Sequence, residues 1–160
     1  MGYGHTVIRL VFIGNVLTTY QERAAMQHDG TRIDAGSTAE ASKRVFATPL
    51  ALYRVLRRLW AADTASPSGA WALANPARNH CSVTSLLVQD HFGGALLKTR
   101  TSGGTHFYNV IDGTKWDLTV SQFAEPIPYE DLPATRDEAL GDCSVAKYEL
   151  LAGRLTAAMG

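Results

Sequence analysis

Apolar residues recur at helical spacing between residues 49 and 92, at strand spacing between 95 and 120, and at helical spacing again beyond 135. Thr48-Pro49 opens the first run, with a threonine able to cap and a proline suited to the first helical position. Leu52, Val55, Leu56, Leu59 and Trp60 form its apolar stripe, and Arg54, Arg57 and Arg58 its solvated face. A loop marked by Asp63, Ser66-Pro67-Ser68-Gly69 and Asn75-Pro76 leads to a second helix, predicted from about Asn79 to His91. Asn79 reads as its N-cap, and Val83, Leu86, Leu87 and Phe92 as its buried stripe. Gly93-Gly94 supplies the left-handed residues that end helices, and His91 reads as a cap favoured by the dipole when protonated.

The strand region begins at 95–100 and turns at Ser102-Gly103-Gly104. Two β-like runs, 105–111 and 114–120, flank Asp112-Gly113, a strong hairpin signal. Glu125-Pro126-Ile127-Pro128-Tyr129 forms an extended exit. The last helix starts near Thr135, which forms a capping box with Glu138, breaks around Gly141 and resumes through Val145, Tyr148, Leu151 and Leu155. The expected fold is α+β, with a helix packed on a small antiparallel sheet. Upstream, 7–13 reads as a short strand, and 21–43 is polar and small, with little to bury. The chain thus divides into an N-terminal stretch, 1–47, and a domain, 48–160.

Composition changes this picture only at its edges. Formal charge is zero, against a general phosphate-backbone binder. Residues 1–60 carry eight Lys/Arg against four Asp/Glu and the remainder seven against eleven, an asymmetry that reads as intramolecular complementarity. The apolar run from Val7 to Leu17 contains Arg9 and Asn15 and is too short to span a bilayer. No basic region precedes it. Two cysteines, Cys81 and Cys143, show no CxxC pairing, which suits a reducing cytoplasm. No nucleic-acid or membrane partner is expected.

Candidate chemistry centres on Cys81, at the start of the second helix. There, unpaired N–H groups and the helix dipole favour thiolate. His106 lies on the next-but-one predicted element and Asp117 beyond the hairpin turn. With a two-residue Asp112-Gly113 loop, Ile111 pairs with Thr114, so Tyr108 faces Asp117 and His106 faces Thr119. Alternation then puts His106, Tyr108, Asp117 and Thr119 on one face and Asn109 with Trp116 on the other. His106 and Asp117 become diagonal neighbours within side-chain reach. Asp117 rather than Asn109 is therefore the expected third member of a Cys81–His106–Asp117 site for amide or thioester hydrolysis or acyl transfer. The Cys81 amide, with a side chain from Asn79 or His80, is the candidate oxyanion hole. His80, Cys81, His91, His106 and Cys143 are zinc-type ligands without a recognised spacing, so neither metal nor cofactor is expected. The alternative is a non-catalytic module that binds a peptide, small ligand or protein in the same cleft.

A series of ordered motifs resembles the YunG-like family of bacterial proteins. It comprises Trp60-Ala61-Ala62-Asp63-Thr64-Ala65, Asn75-Pro76-Ala77-Arg78, Cys81-Ser82-Val83-Thr84 and Val88-Gln89-Asp90-His91-Phe92-Gly93-Gly94. It continues through Gly103-Gly104-Thr105-His106, Asn109, Asp112-Gly113 and Asp117-Leu118-Thr119, and Gln122-Phe123 closes it. The resemblance spans roughly residues 52–158 and implies a papain-like or transglutaminase-like fold without an assigned activity. The chain departs from the family pattern at Asn79-His80, where Gly-Gln commonly precedes the cysteine. The first 47 residues lie outside the resemblance, as a private extension or an upstream start with Met26 the internal alternative.

Overall fold

The computed structural model describes residues 45–160 in full and, before them, the backbone of 7–13 and 16–21. Most of the polar stretch 21–43 lies outside the described residues. Strands β1 (Val7–Ile13) and β2 (Val16–Gln21) precede helix α1 (Pro49–Leu59) and helix α2 (Cys81–Phe92). Strands β3 (Ala95–Thr101), β4 (Gly104–Ile111), β5 (Thr114–Asp117) and β6 (Leu132–Pro133) follow, then helices α3 (Arg136–Cys143) and α4 (Val145–Met159). The protein is α+β. Strands β6, β3, β4 and β5 form a small antiparallel sheet, and β1 pairs in parallel with β5, with β2 antiparallel beside it.

Local chemistry accounts for the helix ends. The Thr48 hydroxyl accepts from the Ala51 N–H, with Pro49 at the first position, as expected. Thr135 and Glu138 form the reciprocal capping box at α3. The break between α3 and α4 falls at Ser144 rather than Gly141. Ser144 takes φ 73° while its hydroxyl caps α4 through the Lys147 N–H. Helix α2 starts at Cys81, two residues later than expected, because Asn79 sits at φ 62° and cannot join the helix. His80 is the N-cap, without a side-chain capping bond.

Helix α2 is the centre of the molecule. The expected stripe of Val83, Leu86, Leu87 and Phe92 is buried, but so are Ser82, Thr84, Ser85 and Val88. It packs between the sheet, through Phe107 and Ile111, and a helical layer bearing Leu52, Leu56, Leu151 and Leu155. Each such leucine contributes about 2 kcal/mol of burial. The end of α2 is held close to β4: Gly93 and Gly94 take φ 71° and 79°, and a Cβ on Gly94 would lie 2.2 Å from the Val110 carbonyl oxygen. His91 lies beside this end but packs edge-on against Phe46 at 5.2 Å. Burial lowers its pKa, which weakens the dipole-cap role expected of its protonated form.

The hairpin register is as calculated: Ile111 pairs with Thr114, Val110 with Lys115 and Asn109 with Trp116. The last strand is shorter than expected and stops at Asp117. There the Thr119 N–H turns back to donate to Asp117 Oδ1 at 3.0 Å, which closes an Asx turn and leads into a single 3₁₀ turn, Val120–Gln122. Among the described residues no helix is long and apolar enough to cross a membrane.

Candidate active site

The two faces of the hairpin carry different chemistry. On the α2 side, Asn109 Nδ2 donates to the Ser85 carbonyl at 3.0 Å, which ties strand to helix. On the other side, His106 Nε2 and Asp117 Oδ2 are 2.6 Å apart, with both residues buried. The Asp117 carboxylate is fully subscribed. Oδ2 also accepts from the Tyr129 hydroxyl at 2.9 Å, and Oδ1 accepts from the Thr119 N–H and hydroxyl. Burial opposes its ionisation, yet the His106 charge and these hydrogen bonds hold the carboxyl below its ordinary pKa. Burial likewise opposes charge on His106, but Asp117 and the Cys81 thiol outweigh it and push the imidazole up to about 10.

Cys81 reaches this pair from the start of α2. Its Sγ lies 3.9 Å from the carbonyl oxygen of Thr105, the residue before His106, and a hydrogen bond between Cys81 and His106 contributes to the raised imidazole pKa. Cys81 and His106 share the wall of one cavity of about 560 Å³. The His80 cap leaves the first-turn N–H groups of α2 without a side-chain acceptor at this point. Cys143 is a separate free thiol with its Sγ 3.5 Å from the Ser144 carbonyl oxygen, and burial pushes it up to about 11. Among the described residues no three His, Cys, Asp or Glu side chains group as metal ligands do.

The oxyanion candidates fare differently. His80 is fully buried and does not line the cavity. Its Nδ1–H donates to the Arg78 carbonyl at 3.0 Å, and its Nε2 lies 2.9 Å from the Thr64 hydroxyl. With both nitrogens committed and burial pushing its pKa down to about 4, it is a neutral structural histidine. Asn79 does line the cavity, but its Nδ2 donates to the Pro67 carbonyl.

Gln122 is the residue the sequence reading passed over. Its Oε1 accepts from the Asn79 N–H at 3.3 Å and its Nε2 donates to the Thr119 carbonyl at 3.1 Å, so the amide orientation is set from both ends. Gln122 Nε2 also lies 3.4 Å from His106 Nδ1, at the cavity wall. A glutamine thus lines the cavity of the cysteine, delivered by the 3₁₀ turn rather than by the residues before Cys81. Its only trace in the sequence is its place at the end of the family-like motif series. Tyr129 was missed for the same reason: nothing near it in the chain signals a contact with Asp117.

Fold and site together define an α+β protein in which a helix-opening cysteine shares a cavity with a buried histidine–aspartate pair. The chain belongs to the YunG family, whose model, described as YunG protein, matches residues 48–160. It is 39% identical over 97 residues to the uncharacterized protein YunG of Bacillus subtilis (strain 168), covering 61% of this chain and 82% of that protein. No solved structure is a significant match.

Proposed function

We propose that the protein is a cysteine-dependent hydrolase or acyltransferase of papain-like or transglutaminase-like design, acting in the cytoplasm through Cys81, His106 and Asp117. The observation that carries this reading is the buried 2.6 Å contact of Asp117 with His106, which lines the same cavity as Cys81. A histidine with a pKa near 10 is an imidazolium at neutral pH. With Nε2 on Asp117, Nδ1 is the ring nitrogen left to exchange a proton with Cys81, and a positive charge on the ring favours thiolate.

The thiolate attacks an acyl carbon, and the carbonyl π pair moves to oxygen. The Cys81 N–H and the Gln122 side-chain amide are the donors proposed to receive that oxyanion. Once sulfur is bonded to carbon its negative charge is gone, and with it one cause of the raised His106 pKa. The imidazolium then releases its Nδ1 proton to the departing amine or thiolate as the carbonyl reforms. Neutral His106 next takes a proton from water or an acceptor amine or alcohol, which attacks the thioester and frees Cys81. Asp117 holds the tautomer throughout.

The test is the rate of Cys81 alkylation by iodoacetamide against pH, read on the Cys81 peptide by mass spectrometry. His106→Ala is expected to slow labelling at pH 7 by about threefold or more, because the variant lacks the imidazolium beside the sulfur. Labelling that rises only near pH 8.5 and ignores His106→Ala would favour the alternative, a non-catalytic module that binds a peptide or small ligand in the same cavity.

A further inference from the structure

The wall of the Cys81 cavity carries information about what enters it. Among the described residues it contains no leucine, isoleucine, valine or methionine; small or polar residues such as Ser66, Ala70, Thr101 and Ser102 dominate, with Phe123 the one aromatic carbocycle. A long acyl chain would meet only short apolar lining there, from Pro67, Ala70, Phe123 and Ala124, interspersed with polar groups. Two residues of opposite charge, Arg78 and Asp142, also line it. Both are exposed, and neither joins an ion pair among the described residues. Their backbones are anchored nonetheless. The Arg78 N–H donates to the Asn75 carbonyl at 3.1 Å and the Arg78 carbonyl accepts from His80, while the Asp142 carbonyl accepts from the Ser66 hydroxyl at 2.7 Å. Opposite charges held on one wall without pairing suit a ligand that itself carries both signs.

We propose that the cavity takes a short zwitterionic peptide, its carboxylate toward Arg78, its ammonium toward Asp142 and its reactive carbonyl at Cys81. This rests on the thiol chemistry proposed above and adds the substrate class. A guanidinium meets a carboxylate with paired N–H donors, and a carboxylate accepts from an ammonium. A substrate of this kind also fits the modest cavity volume of about 560 Å³.

Three small alkylating agents of different charge test it at Cys81: iodoacetamide, iodoacetate and 2-bromoethylamine. Arg78→Gln is expected to lower the iodoacetate-to-iodoacetamide rate ratio about threefold at low ionic strength, and Asp142→Asn to lower the bromoethylamine-to-iodoacetamide ratio similarly. Alanyl-alanine is expected to slow iodoacetamide labelling of the unaltered protein, with that protection weakened in either variant. Its N-acetyl, C-amide form is expected to protect less. Unchanged rate ratios, or equal protection by free and capped dipeptide, overturn the proposal. The iodoacetamide rate in His106→Ala is read in parallel, so failure of the thiol chemistry is distinguished from failure of the substrate class.

Discussion

Two fully buried histidines, His80 and His106, sit on either side of the start of α2 and are driven in opposite directions. Around His80 the structure offers a carbonyl, a hydroxyl and the Trp60 ring 5.6 Å away, partners that satisfy a neutral imidazole, while the charges of Asp63 and Lys147 act on it in opposite senses. Burial therefore dominates and pushes it down to about 4. Around His106 the structure offers a carboxylate at 2.6 Å and a thiol, and the imidazole is pushed up to about 10 against the same burial. Depth alone does not decide what a histidine does. The charge of the nearest partner decides it, and here it separates a structural residue from a candidate catalytic one.

Removing the carboxylate breaks the comparison most severely. Asp117→Asn leaves His106 without its counter-charge in a buried site and is expected to cost about 4 kcal/mol of stability at neutral pH, measured by urea unfolding. The His106 resonances should then titrate well below pH 10 by NMR.

The next effect is in the pH dependence of stability. His106 binds its proton more tightly folded than unfolded, so its contribution is full below about pH 6.5 and is lost as pH rises toward 10. His80 has the opposite sign. Its contribution is present above about 6.5 and is lost as pH falls toward 4, an acid limb of about 3 kcal/mol. Unfolding free energies measured across this range should show both limbs, and His80→Gln should flatten the acid one while leaving the alkaline one in place.

Tyr129→Phe is the finest probe. It removes one hydrogen bond from Asp117 and keeps the aromatic ring beneath Lys115, whose ammonium lies 4.9 Å from the ring centroid. A loss of about 1 kcal/mol is expected by urea unfolding, with Cys81 alkylation changing by less than about threefold. A larger kinetic effect would make Tyr129 a positioning residue for His106 and not merely a stabilising neighbour.

How much of the site the chain announces varies with the range of the interaction. The pairing of His106 with Asp117 was legible because a two-residue turn sets the register and alternation then sets the face, over 11 residues of separation. The rejection of Asn109 followed from the same parity, and Asn109 does bond to Ser85 on the far face. The reading of Asn79 as N-cap failed because asparagine is suited both to capping and to the left-handed region, and here the backbone uses the second property. His80 was misassigned because a residue adjacent to a nucleophile in sequence can point away from it when the helix begins between them.

Short-range physics thus belonged to the sequence alone. The helix caps at Thr48 and Thr135, the Gly93-Gly94 stop and the hairpin face shared by His106 and Asp117 are interactions among near neighbours, and residue type and spacing determine them. Packing decided the rest. Gln122 meets the Asn79 amide across 43 residues, and Ser66 meets Asp142 across 76. Such contacts depend on how α2, the sheet and α3 close around one cavity, and no local pattern encodes that geometry. The opposite fates of two buried histidines belong to the same category, because each was set by the groups that folding brought to its ring.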